Sequence, residues 1–310
     1  MTSSVALCTY NGHAYIAEQL DSILNQTQPV SEIILCDDGS TDGTWPIISD
    51  YAEQYPGLIK AYQNPENLGY ISNFEKAMSL CSGDIVLLCD QDDRWHNNKI
   101  EVITEIFKNH KNINVIGHNI SLFGDSLKNA QEKEMVYWQI ENFDPEKFTP
   151  PGDLIKRLLY EGNVFPGMSM AVRNTFLKAH LPLKRVNPVI IHDYELLLIA
   201  ANQNSLWIEK TVLGEYRIHP KQNIGYKAFS EFDDSAVKTL SRDDLFNIFR
   251  RYSFVKKAVV GLNLDKNLDA GYIQYCHQKY KDYLQKLSLV DRLVNQIKMK
   301  YYFHIFDYLK

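Results

Sequence analysis

The sequence predicts an α/β protein whose central sheet is mostly parallel, with helices on both faces and a helical appendage at the carboxyl end. Short apolar segments, such as residues 5–8 and 85–89, alternate with segments whose apolar residues recur at helical spacing, such as Ile16, Leu20 and Ile23. A polar turn follows the apolar segments. Such alternation is typical of parallel strands joined by helices, and it places functional groups beyond the carboxyl ends of the strands.

The predicted elements repeat one unit of strand, turn and helix. The strands are residues 5–8, 33–36, 58–62 and 85–89, and the helices are residues 13–25, 44–55, 71–80 and one that starts near residue 96. After residue 123 the pattern loosens, with helices expected at 153–160 and 193–201 and strands at 168–172 and 206–213. From about residue 235 the sequence is typical of helix. We therefore expect one domain over residues 1–230, with halves at 1–120 and 121–230, and a helical region over 231–310.

Composition narrows the functional class. The 310 residues are 45% hydrophobic, which is enough to bury a substantial core. A net charge of -5 argues against general nucleic-acid binding, so any phosphate recognition must be local. The five cysteines form no CxxC pair and are expected to be reduced core thiols. No apolar run approaches the roughly 18 residues that span a bilayer, and we expect a cytoplasmic protein.

The last stretch, residues 292–310, combines lysines with many aromatic residues. One interpretation is an amphipathic helix that lies on the cytosolic face of the inner membrane as a peripheral contact. The alternative is a helical appendage packed on its own domain or on another subunit of a homo-oligomer. The alternative is favoured because His304 and Asp307 interrupt the apolar face.

An apolar strand that runs into residues 90–93 (DQDD) is the strongest chemical signal in the chain. Two like charges about 4 Å apart repel by roughly 4 kcal/mol at an effective dielectric near 20, so carboxylates at the edge of a core need a cation. Carboxylate oxygens suit Mg²⁺ or Mn²⁺, which also carry phosphates. A solvated acidic turn remains the alternative on this motif alone.

Neither a GxGxxG fingerprint nor a GxxxxGK[ST] loop is present, so a nucleotide would be held by side chains of the first two turns and by metal. Four motifs follow in order, namely residues 9–12 (TYNG), 37–44 (DDGSTDGT), 67–69 (NLG) and 90–95 (DQDDRW). This series resembles the inverting family 2 glycosyltransferases, whose GT-A fold is Rossmann-like. Residues 167–170 (GMSM), 191–194 (IHDY) and 216–219 (YRIH) resemble the bacterial rhamnosyltransferase-like branch, which builds surface polysaccharides such as capsule and O-antigen.

The resemblance implies a nucleotide site in the first half of the chain. Asp38 matches the carboxylate that accepts the N3–H of the base, a group that uracil and thymine share, so UDP-sugars and dTDP-sugars both remain open. The other residues implied at the nucleotide are Thr9, Tyr10, Asn11, Asn67, Gly69 and Asp90. An alternative for the first turn is that Asn11 simply caps the following helix.

The resemblance also implies a divalent-metal site for Mn²⁺ or Mg²⁺. Asp92 matches the direct ligand, Asp90 is expected near the ribose or at a metal-bound water, and His219 matches a histidine that completes the site. The residues implied at the donor and acceptor pocket are Asp93, Trp95, Gly167, His192 and Tyr194. Alternatives are that Asp93 caps the helix near residue 96, that Trp95 only packs, and that Gly167 only serves a turn.

An inverting transfer needs a base that deprotonates the acceptor hydroxyl while metal stabilises the departing diphosphate. Asp193 is the candidate base, with Glu195 as the reserve candidate. Asp193 also stands where a helix N-cap is expected, which is the structural alternative. The branch commonly carries an aromatic pair after the HD dipeptide, whereas this chain has Tyr194 and Glu195.

The sequence thus favours a metal-dependent glycosyltransferase that moves rhamnose or another hexose from a nucleotide diphosphate sugar to a growing polysaccharide, a glycolipid or another lipid-linked glycan. A protein that binds a nucleotide sugar or glycan without turnover is the first alternative. A sugar nucleotidyltransferase is the second, although the turn at residues 9–12 lacks the basic residue that such enzymes use.

Overall fold

The computed structural model describes residues 1–124, 126–127, 136–148, 153–220 and 242–285. The chain divides into two compact units, Met1–Ala228 and Phe229–Lys310. That these units are domains with separate roles, as the sequence suggests, stays a prediction. Residues 292–310, on which the membrane and subunit interpretations depend, lie outside the described residues.

The first unit begins with the predicted alternation of strands and helices. Its elements are β1 (Ser3–Thr9), α1 (Ile16–Leu24), β2 (Glu32–Asp37), α2 (Thr44–Gln54), β3 (Ile59–Gln63), α3 (Tyr70–Leu80), β4 (Ile85–Asp90), β5 (Arg94–Trp95), α4 (Lys99–Asn109) and β6 (Val115–Phe123). The helix expected near residue 96 starts at Lys99 instead, because residues 96–98 form a turn between the short strand β5 and the helix.

The rest of the unit adds shorter elements around the same sheet. They are α5 (Tyr137–Ile140), a 3₁₀ turn (Pro145–Phe148), α6 (Leu154–Glu161), a 3₁₀ turn (Gly167–Ser169), β7 (Met170–Arg173), α7 (Asn174–His180), α8 (His192–Asn202) and β8 (Leu206–Arg217). Strand β8 is longer than the predicted 206–213, because its second half pairs with both β6 and β5.

One eight-stranded sheet runs through the described residues in the order β3-β2-β1-β4-β7-β6-β8-β5. Strands β3, β2, β1 and β4 are parallel, and β6 is parallel to β8. Strand β7 is antiparallel to both of its neighbours, and β5 is antiparallel to β8. The predicted α/β class with a mostly parallel sheet is confirmed.

The core surrounds β1, β2 and β4, which are buried along almost their whole length, whereas the edge strand β3 is only partly buried. Parallel strands covered by helices on both faces read as continuous apolar runs, as β1 and β4 do here. Helix α1 packs Ile16, Leu20 and Ile23 against this sheet, each fully buried. Four of the five free cysteines are buried, in agreement with the expected reduced thiols. The carboxyl ends of β1, β2 and β4 are therefore held by a well-packed core.

The described part of the second unit consists of α9 (Arg242–Gly261) and α10 (Asn267–Gln285). Val255 and Ala258 of α9 are fully buried, and the rings of Tyr252 and Tyr272 stack with centroids 6.4 Å apart. In the part of the chain that the structure describes, no helix combines the length and apolar character needed to cross a bilayer.

Candidate active site

A cavity of about 830 Å³ opens at the carboxyl ends of β1 and β4 in the first unit. Most of the predicted site residues line it, namely Thr9, Tyr10, Asn11, Asp38, Asn67, Gly69, Asp90, Asp92, Gly167, His192, Asp193 and His219. Three predicted residues, Asp93, Trp95 and Tyr194, are not among its lining residues. The cavity thus brings together motifs from distant parts of the sequence.

Asp38 is held in place by the turn that precedes α3. Its Oδ1 accepts hydrogen bonds from Leu68 N and Asn64 Nδ2, both at 2.8 Å, and its Oδ2 accepts one from Gly69 N at 2.9 Å. Gly69 has φ +80°, a conformation that glycine adopts readily. The NLG motif therefore acts on Asp38 through backbone N–H groups, and Asp38 lies 2% exposed in the cavity wall.

Asn11 ties the first turn to the second. Its backbone has φ +49°, its Oδ1 accepts the N–H of Thr41 at 2.9 Å, and its own N–H donates to Ser40 Oγ at 2.8 Å. Helix α1 starts only at Ile16 and has no side-chain cap. The alternative in which Asn11 caps the helix is therefore wrong.

Gln91 connects the acidic motif with the first turn. Its Oε1 accepts the N–H of Tyr10 at 2.8 Å, and its Nε2 donates to the carbonyl of Tyr10 at 3.1 Å. A Cβ on Gly12 would lie 2.1 Å from Gln91 Oε1, so only glycine leaves room for this pair of bonds. The turn sequence TYNG and the middle residue of DQDD thus depend on each other.

Asp92 and His219 meet inside the cavity although 127 positions separate them. Asp92 Oδ2 and His219 Nε2 are 2.8 Å apart. Arg217 holds the two segments together, because its Nε donates to the carbonyl of Asp92 at 2.6 Å and its backbone N–H donates to Asp93 Oδ1 at 3.0 Å. The ring of Tyr15 packs on His219 with centroids 4.8 Å apart.

The structure corrects two expectations for the residues after β4. Asp93 does not cap a helix, since Asn98 precedes α4, and its buried carboxylate instead accepts the Arg217 N–H. Trp95 is 4% exposed and belongs to the core, so the alternative that it only packs is correct. Asp93 does not line the cavity, and its hydrogen bond to Arg217 connects it to the segment that carries His219.

Burial perturbs the acidic end of β4. Desolvation, together with the charges of Asp92 and Asp193, raises the pKa of the Asp90 carboxyl. Desolvation, together with Asp92 and Asp90, likewise raises the pKa of Asp93. The ammonium of the buried Lys99 opposes both shifts. The sequence therefore predicts the crowding of carboxylates correctly, but the structure adds a cation that the motif does not reveal.

Asp193 lines the cavity from the start of α8. The helix begins one residue earlier, at His192, so Asp193 is not its N-cap and that alternative is wrong. Its Oδ1 accepts the N–H of Tyr194 at 2.6 Å, and its Oδ2 lies 3.4 Å from Asn163 Nδ2. Burial raises the pKa of Asp193 to about 6, opposed by hydrogen bonds from backbone N–H groups that include Gly167.

The turn that contains Gly167 lies against His192 and Asp193 and leaves room for a methyl group at Gly167. A Cβ added at Gly167 would lie 3.7 Å from Asp193 Cβ and 3.5 Å from His192 Nε2. His192 lies flat on Phe74, with ring centroids 4.0 Å apart. Among the described residues, neither ring nitrogen of His192 has a hydrogen-bond partner, and burial lowers its pKa to about 3. The cavity wall beside Asp193 is therefore a neutral imidazole.

Glu195 and Tyr194 point away from the cavity. The Glu195 carboxylate accepts the backbone N–H groups of Lys184 at 2.7 Å and Arg185 at 3.1 Å. The Tyr194 hydroxyl donates to the carbonyl of Leu158, so the expectation that Tyr194 lines the pocket is wrong. The side chains of successive helix residues point in different directions. Among His192, Asp193, Tyr194 and Glu195, only the first two therefore line the cavity.

The donor set at the acidic end fits a divalent cation that keeps external ligands. Within the described ranges, no group of three or more His, Cys, Asp or Glu side chains forms a closed metal cage. Asp92 and His219 offer one carboxylate and one imidazole on the same cavity wall. Mg²⁺ and Mn²⁺ in phosphate-binding sites take one or two protein ligands and complete their shell with phosphate oxygens and water.

Some functional residues carry no local signal in the sequence. Three such residues line the cavity, namely Gln91, Asn73 and Tyr216. Gln91 is the one uncharged residue of the DQDD motif, Asn73 belongs to α3, and Tyr216 lies near the end of β8. Lys99, which is fully buried, looks like a solvent-exposed helix residue from its type alone. Only the packing of distant segments identifies them.

Comparisons with known proteins agree with this geometry. The model of the family described as Glycosyl transferase family 2 matches residues 4–178, which is more than half of the chain. A glycosyltransferase of Nostoc sp., itself uncharacterized, is 25% identical over 283 residues, covering 90% of this chain and 83% of that protein. The dTDP-rhamnosyl transferase RfbG of Shigella flexneri is 26% identical over 225 residues, covering 71% of this chain and 73% of that protein.

Solved structures show the same fold. TarS residues 1–349 from S. aureus in complex with UDP has a TM-score of 0.57 at 17% identity, covering 94% of this chain and 77% of that one. The mannosyltransferase PcManGT from Pyrobaculum calidifontis has a TM-score of 0.50 at 15% identity, covering 96% of this chain and 79% of that one. The GT-A type of fold expected from the motifs is thereby confirmed. With more than half of its length matched by the family model, this chain belongs to glycosyltransferase family 2.

Proposed function

We propose that this glycosyltransferase is metal-dependent and inverting, and that it moves rhamnose or another hexose from a UDP-sugar or dTDP-sugar to a growing surface polysaccharide or glycolipid. The observation that carries the proposal is that one cavity contains Asp38, the pair Asp92 and His219, and the buried carboxylate of Asp193. In this proposal Asp38 recognises the nucleobase, Asp92 and His219 are the metal ligands, and Asp193 accepts the proton of the acceptor hydroxyl.

Recognition of the nucleotide is assigned to the walls built from the first two turns. Asp38 is held by three donors, which fixes its carboxylate for the N3–H that uracil and thymine share. The exposed ring of Tyr10 and the backbone of Thr9 and Asn11 lie on the same wall and are assigned to the nucleoside. RfbG is named a dTDP-rhamnosyl transferase and TarS was crystallised with UDP and UDP-GlcNAc, which supports a pyrimidine nucleotide.

The metal is assigned to Asp92 and His219, with Asp90 beside them near the ribose or a metal-bound water. A bound Mn²⁺ or Mg²⁺ supplies positive charge that neutralises the diphosphate as it departs. Arg217 holds the backbone of Asp92 and the segment of His219 in register, so both ligands are oriented before metal arrives. PcManGT was crystallised with GDP-Man and Mn²⁺, which supports a divalent cation.

Asp193 is assigned as the base. The acceptor hydroxyl oxygen forms a bond to the anomeric carbon of the donor, the bond from that carbon to the diphosphate oxygen breaks, and the hydroxyl proton passes to the Asp193 carboxylate. Attack and departure on opposite faces invert the anomeric configuration. The raised pKa of about 6 suits this role, because the carboxylate is ionised at neutral pH and is a stronger base than an ordinary aspartate.

The acceptor side of the cavity is assigned to the wall that contains Gly167 and His192, in the half at residues 121–230. TuaG of Bacillus subtilis is named as a teichuronic acid biosynthesis glycosyltransferase. It is 37% identical to this chain over 98 residues, covering 32% of this chain and 38% of TuaG, and its name supports a polysaccharide as the product. Peripheral membrane contact through residues 231–310 and a homo-oligomer stay predictions.

A transfer assay tests the proposal. The full chain is incubated with UDP-sugars and dTDP-sugars and a panel of glycan and glycolipid acceptors, with Mn²⁺ or with a chelator, and proton NMR reports the anomeric configuration of the product. We expect metal-dependent formation of the inverted glycoside, abolished in Asp92→Ala. Retention of configuration, or full activity under chelation, contradicts the mechanism. Nucleotide binding without transfer to any acceptor favours a non-catalytic binding protein instead.

A further inference from the structure

We propose that Lys99 is a positioning residue that serves as the internal counter-charge of the acidic end of β4 and holds the Gly167–Ser169 turn against Asp193. This inference rests on the proposed function, in which Asp92 and Asp193 both act in one cavity. Lys99 itself does not line that cavity, so its effect is exerted through the groups that it contacts.

Lys99 is the first residue of α4 and is completely buried. A lysine in such a place requires strong partners, because removal of an ammonium from water is very unfavourable. Its Nζ donates to the carbonyl of Met168 at 2.6 Å and lies 3.9 Å from the centroid of the Trp95 ring. The hydrogen bond and the cation–π contact fix the ammonium between β5 and the Gly167–Ser169 turn.

The charges that surround this ammonium are those of the DQDD strand. Asp93 and Asp90 both act on Lys99, and Lys99 acts back on both carboxyls. The Asp93 Oδ2 is buried and has no hydrogen-bond partner among the described residues. The charge of Lys99 acts on this carboxyl in addition to the hydrogen bond that the Arg217 N–H donates to Oδ1. The buried ammonium of Lys99 therefore offsets part of the negative charge at the end of β4.

The contact with Met168 extends this effect to the base. Met168 is the middle residue of the Gly167–Ser169 turn, which is closed by the hydrogen bonds of Ser169 N and Oγ to the carbonyl of Pro166, both at 2.7 Å. Gly167 in the same turn lies against Asp193, because a Cβ added at Gly167 would be 3.7 Å from Asp193 Cβ and 3.8 Å from Asp193 Oδ2. A movement of the Met168 carbonyl thus changes the packing of the turn against Asp193. One buried side chain links the two sides of the reaction.

Three substitutions separate the charge from the hydrogen bond. Lys99→Met removes both, Lys99→Gln keeps a donor for the Met168 carbonyl without the charge, and Lys99→Arg keeps both in a larger group. Lys60→Met is the control, because Lys60 of β3 also pairs with a carboxylate, that of Glu32 on β2, and does not line the cavity. For each variant we measure kcat and donor KM per folded enzyme, the pH dependence of kcat/KM, and the melting temperature.

We expect Lys99→Met to lower kcat about 10- to 100-fold with a smaller change in donor KM, since the base is misplaced while the nucleotide wall is intact. The acidic limb of the pH profile moves to higher pH, because the Gly167 N–H that lowers the pKa of Asp193 is displaced. Lys99→Gln loses less kcat than Lys99→Met, and Lys99→Arg less than either. A variant with a lower melting temperature but unchanged kcat and unchanged pH profile overturns the proposal.

A second comparison covers the case in which Lys99→Met does not fold. The double variant Asp93→Asn with Lys99→Met removes one buried negative charge together with the buried positive charge, so the sum of the two charges is the same as in wild type. We expect it to fold and to melt at a higher temperature than Lys99→Met alone, whereas a double variant that melts no higher overturns the counter-charge role. This comparison uses melting temperature only, so it stands even if the wild-type chain transfers no sugar and the proposed function fails.

Discussion

Asp193 sets the pH dependence that we expect for this enzyme. Burial raises the pKa of its carboxyl from 3.8 to about 6, a shift of about 2 pKa units. At 1.36 kcal/mol per unit, the cavity disfavours the ionised form by about 3 kcal/mol relative to water. The base must be ionised to accept the acceptor proton, so about 90% of it is competent at pH 7 and about 10% at pH 5.

The prediction is that kcat/KM falls about tenfold per pH unit below pH 6 and is level above it. Asp193→Asn keeps the size of the side chain but removes the base, and we expect it to lose 10² to 10⁴ in kcat/KM and to lose the acidic limb. The assay follows release of the nucleoside diphosphate at saturating Mn²⁺, with donor binding measured separately at each pH so that changes at the metal site are not mistaken for the base.

Glu195→Gln is the matched control. Its carboxylate is engaged by the backbone of Lys184 and Arg185, so the variant should lose stability through these bonds and keep the acidic limb near pH 6. An acidic limb that persists in Asp193→Asn, or that disappears in Glu195→Gln, would refute the assignment of the base.

Three further predictions follow from close contacts around the cavity. Gly167→Ala should melt within a few degrees of wild type, because the added Cβ meets His192 and Asp193 only at 3.5 to 3.8 Å. The variant should nevertheless lose at least about tenfold in kcat/KM, because the methyl group obstructs the acceptor. Unchanged kinetics would contradict this prediction. Gly12→Ala should lower the urea-unfolding free energy by about 1–3 kcal/mol by displacing Gln91 from its two hydrogen bonds, and a double variant with Gln91→Ala should cost less than the sum of the single changes. His192→Phe should make the free energy of unfolding less sensitive to acid. In the unfolded chain the His192 imidazole binds a proton below its ordinary pKa of 6.5, whereas in the folded protein it does so only near pH 3. Between pH 7 and pH 5 the wild type should therefore lose about 2 kcal/mol of unfolding free energy relative to the variant. Parallel stability curves for the two proteins would contradict that account.

The parallel half of the fold was predictable because its signals are local. Buried strands such as β1 and β4 are continuous apolar runs, and their polar turns mark the carboxyl ends where the cavity forms. Strand β6 was missed because it carries the buried polar residues His118 and Asn119, and its pairing with β8 shifts register at that point. A bulged strand with polar residues lacks the periodicity on which a strand prediction depends.

The candidate site was predictable residue by residue only where a motif carries the resemblance. The Asn11 and Asp193 caps were wrong because each helix starts at a different residue from the one expected, a boundary that sequence fixes poorly. The proximity of His219 to Asp92 was expected from the motifs that carry the resemblance. The burial of Lys99 was not, because it depends on the packing of α4. Such long-range packing leaves no trace in spacing or composition.

The most direct test of the metal and nucleotide assignment is the thermal stability of the full chain with UDP, dTDP, GDP and CMP compounds, each with and without Mn²⁺. A ligand at 100 times its dissociation constant adds about 2.7 kcal/mol to the stability of the folded state. We expect UDP or dTDP to stabilise the wild-type chain only with metal, and Asp92→Ala to lose this response. Stabilisation by GDP or CMP alone, a response independent of Mn²⁺, or an undiminished response in Asp92→Ala would contradict the account.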